Sequence, residues 1–104
     1  MKCKEGVILK DLKLEMRLVL KFADEIWNVH GQELWVTSTG DGVHSAGSLH
    51  PYGYAVDFRT RYFRDVPEIA EIRDALQMKL GPKYQVLMES RHMHCEYQAA
   101  INQG

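Results

Sequence analysis

No stretch of this 104-residue sequence approaches the ~20 consecutive apolar residues of a membrane span. Near the start, Lys2, Lys4, Glu5, Lys10 and Asp11 interrupt what would be the apolar centre of a secretory signal. The expectation is a protein synthesised in the cytoplasm without a signal peptide and without a membrane span. An excess of charge is also missing: 13 basic against 14 acidic residues leave a net charge of −1, so nothing favours nucleic acid as a partner. Cysteine is scarce. Cys3 and Cys95 lie near opposite ends, Cys95 inside an expected strand, which favours a buried thiol over a disulfide. The glycines at 40, 42 and 47 make no phosphate-binding fingerprint, since no Lys-Ser/Thr follows and no helix opens there. The length suits one modest core with no room for a second module, so residues 1–104 are expected to form a single, monomeric domain.

What is present reads as two helices and several strands. Asp11 is the expected N-cap of a helix in which Leu12, Met16, Val19, Leu20, Ala23, Ile26 and Trp27 recur at helical spacing until Gly31. His30 sits where a cation meets the end of the helix dipole favourably, and is read as a capping residue. A strand is expected over 33–38 and another from Tyr54 to Phe58. Asp65 caps a second helix, with Pro67 and Glu68 in its first turn and Gly81-Pro82 as its stop. Tyr84 to Glu89 and His92 to Tyr97 read as a hairpin turning at Ser90-Arg91. The expected fold class is therefore α+β, with two helices packed on one face of a small, mainly antiparallel sheet.

The chemistry gathers at two places. Ser48-Leu-His50-Pro-Tyr-Gly53-Tyr-Ala55-Val-Asp57 sets an imidazole before a turn and a carboxylate in the strand after it, Pro51 and Gly53 breaking the backbone between them. A lone strand aspartate is usually solvated. Here Glu89-Ser-Arg-His92-Met-His94 adds further donors. In a two-residue turn Glu89 pairs directly with His92, so Glu89, His92 and His94 share the polar face with Gln85, Leu87 and Glu96, opposite Tyr84, Val86, Met88, Met93, Cys95 and Tyr97. Two histidines and an aspartate are the ligands of a catalytic zinc, Zn2+, with a fourth position left for water and the site on the sheet face away from the helices. Glu89 is the expected base. His44, Ser48 and Arg59 are candidate substrate contacts, the arginine through a bidentate pair with a carboxylate; Arg61 is a weaker one. Exposed loop residues and solvated arginines are the plainer alternatives.

The pattern S-x-H-x-x-G-x-A-x-D followed by E-x-x-H-x-H resembles the zinc D-alanyl-D-alanine metallopeptidase family. That family includes D,D-carboxypeptidases and dipeptidases and phage L-alanyl-D-glutamate endopeptidases, and hedgehog signalling domains look like relatives with the same metal site. Ser48, His50, Gly53, Ala55 and Asp57 match the first motif. The resemblance implies a zinc peptidase hydrolysing peptide bonds in peptidoglycan stems or muropeptides, an endolysin-like enzyme of cell wall degradation reaching the wall after phage-type release. It also allows a non-catalytic, zinc-stabilised binding domain of hedgehog-like type. His50, Asp57 and a C-terminal histidine would hold the metal. The spacing E-x-x-H selects His92 and the second histidine of H-x-H selects His94; the hairpin favours His94, with Glu89 and His92 in the catalytic roles.

Overall fold

Amphipathic spacing in the first half of the chain produces a 16-residue helix that buries Met16, Val19, Ala23, Ile26 and Trp27 along one stripe. The computed structural model describes residues 1–39 and 53–98. In chain order these form β1 (Lys2–Cys3), α1 (Leu14–Val29), β2 (Trp35–Ser38), β3 (Ala55–Arg59), α2 (Val66–Leu80), β4 (Tyr84–Met88) and β5 (His92–Tyr97). The strands make one sheet in the order β1-β2-β3-β5-β4, antiparallel except for the β1–β2 pair. The fold is α+β, as the patterning implies. Among the described residues no helix is long and apolar enough to cross a membrane.

Both helices pack on the sheet face formed by Val36, Val56, Phe58, Val86, Met93 and Cys95, all essentially inaccessible to solvent. A fully buried Val, Leu, Ile, Phe or Met contributes about 1.5–3 kcal/mol relative to exposure; α1 buries five residues here, and α2 buries Ile72, Leu76 and Leu80. Trp27 is the centre of this layer. Its ring meets Phe58 and Phe63 edge-on at 5.5 and 5.6 Å, and its indole N–H donates to the Arg59 carbonyl at 3.1 Å. That bond ties the end of β3 to α1.

α2 begins as expected. The Asp65 side chain accepts from the Glu68 N–H at 2.9 Å, and Gly81 closes the helix. The start of α1 differs: Lys13, not Asp11, occupies the N-cap, and no side chain caps there. Leu12 is buried and the Lys13 N–H is bonded to the Gly53 carbonyl at 3.0 Å, so tertiary contacts set this terminus in place of a cap. His30 is the C-cap residue and its Nδ1 lies 3.3 Å from Glu68 of α2; it is not one of the converging metal donors found among the described residues. Cys3 and Cys95 are both free thiols. Burial in the core pushes the pKa of Cys95 up to about 12.

Candidate functional site

Alternation along β3 and β5 sends Asp57, Arg59, His92, His94 and Glu96 to the sheet face away from the helices, because Val56, Phe58, Met93 and Cys95 between them are in the core. The register completes the cluster. Asp57 is the direct cross-strand partner of His94, and Arg59 that of His92. The hairpin turns at Ser90-Arg91 as expected: Met88 pairs with Met93, and the Glu89 N–H donates to the His92 carbonyl at 2.9 Å.

Asp57 is shared by both histidines. Its Oδ1 lies 2.7 Å from His94 Nδ1, and its Oδ2 lies 3.8 Å from His92 Nε2. Beyond them stand two glutamates of different character. The buried Glu96 places Oε1 3.1 Å from His94 Nε2, while the half-exposed Glu89 places Oε1 2.9 Å from His92 Nε2. Since both His94 nitrogens face carboxylates, only the doubly protonated ring can donate at each. The hydrogen bond to Asp57, with lesser help from Glu96, raises the His94 pKa above its usual 6.5, against burial that lowers it.

The donor set fits a divalent cation. One ligand atom each from Asp57, Glu89 and His92 lie within 4.8 Å of one another, and carboxylate oxygen with imidazole nitrogen is a set that zinc and its first-row neighbours accept. Two ligands of a tetrahedral zinc stand about 3.3 Å apart, wider than the 2.7 Å between Asp57 Oδ1 and His94 Nδ1. An ion taken up between that pair would displace its proton and leave Glu96 on the other His94 nitrogen, where a carboxylate would fix the ring's tautomer. Ser38, the strand partner of Asp57, lines a cleft of about 240 Å³ with Thr37, Thr39 and residues 4–7; the donor residues themselves are not part of its lining.

Other expected residues divide as follows. His44, Ser48 and His50 lie outside the described residues. Arg59 stands in the row next to His92, but its guanidinium rests on the Trp35 ring, 4.8 Å from the centroid. Arg61 is exposed beyond the end of β3. The sequence reading placed Glu96 on the right face but missed that it would serve His94. Its signal was the H-x-E spacing, which puts the two side chains on one side of a strand.

A pH dependence follows for the metal-free protein. Because the His94 pKa is higher in the fold than the ~6.5 of an unfolded chain, its contribution to stability is complete below that value and disappears as pH rises through the raised one. A cation taking up His94 would compete with that proton, so its affinity would strengthen across the same interval. Urea unfolding of metal-free protein at stepped pH should show this loss, and His94→Gln should flatten it.

No family model, curated protein or solved structure matches the chain.

Proposed function

We propose that this chain is a zinc-dependent peptidase acting on peptidoglycan stem peptides, of the D,D-carboxypeptidase or L-alanyl-D-glutamate endopeptidase type. The observation that supports it most is that Asp57 is shared by two histidines with opposite backing: His94 against buried Glu96, His92 against half-exposed Glu89. The first pair suits a rigid ligand, the second a proton carrier. Asp57 and His94 hold the metal, with His50 of the motif as the third ligand. When bound, zinc polarises the scissile carbonyl and acidifies water. The Glu89 carboxylate takes the proton of the attacking water and delivers it to the leaving amine. His92, hydrogen-bonded to Glu89, fixes the direction in which that carboxylate points.

A second reading has its own observation. Asp57, Glu89 and His92 are the three whose ligand atoms converge within 4.8 Å. If they chelate the ion, Glu89 is a ligand, no base remains, and the domain is a zinc-stabilised binding module. Zinc titration of two variants separates the readings. In the peptidase His94→Ala loses zinc, whereas His92→Ala keeps it and turns over about 100-fold more slowly because the base is misdirected. The reverse pattern establishes the chelate. Activity itself is read as new amino groups released from purified peptidoglycan with zinc and abolished by chelator. Tightly bound zinc with no release would leave the binding module.

A further inference from the structure

One row of side chains crosses the entire sheet on the face that carries the donor cluster. Lys2 on β1 pairs with Trp35 on β2, and Trp35 stands one step along from the Val36–Phe58 pair, beside Arg59 on β3. Arg59 pairs with His92 on β5, and His92 meets Glu89 just beyond β4. The row is split by charge. Its β4–β5 end joins Glu89, His92 and the adjacent Asp57, whereas its β1–β3 end holds two cations on one indole: Lys2 Nζ lies 5.7 Å and the Arg59 guanidinium carbon 4.8 Å from the Trp35 ring centroid.

Neither cation forms an ion pair with a carboxylate among the described residues. Asp57 shares the face with Arg59, but its two oxygens are directed to His94 and His92. The arginine is held in place all the same. Its backbone carbonyl is anchored by the buried Trp27, and its guanidinium plane rests on Trp35. A guanidinium ordered by stacking, with no carboxylate partner among the described residues, presents its N–H fork to a carboxylate.

We infer that the Lys2–Trp35–Arg59 stack is a specificity subsite for a carboxylate on the substrate, next to the bond presented to the metal site. The inference rests on the peptidase reading for what lies at the other end of the row. β2 and β5 are two strand spacings apart, about 10 Å, a length that an extended peptide covers in roughly three residues. The recognised group therefore belongs to a residue within one or two positions of the cleaved bond. Trp35 supports the aliphatic part of that residue while Arg59 and Lys2 take its charge. The substrate class is an acidic peptide.

The test compares two capped peptides of matching shape, N-acetyl-alanyl-glutamate amide and N-acetyl-alanyl-glutamine amide, titrated into the full chain. Metal is removed beforehand and the chelator desalted away, so that no ion can hold the carboxylate. Binding is followed at the Trp35 indole N–H resonance, with the Trp27 resonance as the buried control. The acidic peptide should bind roughly tenfold more tightly, the scale of a charge-assisted hydrogen bond. Arg59→Gln should remove the preference and Arg59→Lys restore part of it. Lys2→Gln, on the short edge strand, should weaken it with no effect on folding. Equal affinities in the wild type, no response of Trp35 to the acidic peptide, or an undiminished preference in Arg59→Gln would overturn the subsite. The peptidase reading fails separately, by absence of amino-group release with zinc, whatever the peptides do.

Discussion

Glu89→Gln should retain the zinc content and melting temperature of the wild-type protein and lose hydrolysis of stem peptides by about 10²–10⁴-fold, the usual contribution of a general base. The substitution preserves shape, and the amide oxygen still accepts from His92 Nε2, so the geometry of the pair is kept. What disappears is the capacity to take a proton. Because Glu89 is half-exposed, exchange there costs stability no more than about 0.5 kcal/mol. Elemental analysis, a thermal melt and an amino-group release assay on one preparation supply the three readings. Loss of zinc together with loss of activity would place Glu89 among the ligands and favour the chelate. Wild-type turnover would require another base, and Glu96, buried against His94 Nε2, is less open to water than Glu89.

How much of this was legible in the sequence depended on whether a feature is local. α2 was readable at both ends because Asp65, Glu68 and Gly81 act within a few residues of one another. So was the hairpin, whose turn at Ser90-Arg91 fixes the register and puts Glu89 opposite His92 through alternation alone. The start of α1 was misread because Asp11 has the chemistry of a cap, while the terminus is set by contacts with residues 40 positions away. β1 was missed altogether. Two residues carry no period, and Lys2–Cys3 is a strand only because β2 offers it an open edge.

The donor cluster shows the same division. The face shared by His92, His94 and Glu96 follows from spacing in one strand. That Asp57 faces His94 while Arg59 faces His92 depends on how β3 registers against β5, which no count along the chain supplies. Arg59 illustrates the cost. The sequence offered it as a carboxylate contact, but its seat on Trp35 and the second cation from Lys2 arise from three strands brought side by side.

Gly53→Ala should be among the most damaging single substitutions outside the core, lowering stability by about 2–5 kcal/mol. Gly53 is the glycine of the motif that carries His50 and Asp57, and its backbone lies at φ +85°, a region that L side chains adopt only at a cost. Conformation accounts for about 1–2 kcal/mol of that. The remainder is steric. A Cβ at this position would press into the Asp11 carbonyl oxygen and crowd the Lys13 backbone nitrogen at 3.3 Å, and the Lys13 N–H is bonded to the Gly53 carbonyl, which holds this segment against the glycine. The motif glycine is thus the point where the turn before β3 rests directly on the entry to α1. Gly31→Ala is the matched control: φ is +79° there, but the added carbon meets nothing within 4 Å, so only the conformational part is lost. At roughly 4–8 °C per kcal/mol for a domain of this size, the Gly53 variant should melt at least about 8 °C below the wild type and clearly below the Gly31 variant. Equal melting temperatures for the two alanine variants would show that the Asp11–Gly53 contact yields, and that this glycine answers to the turn alone.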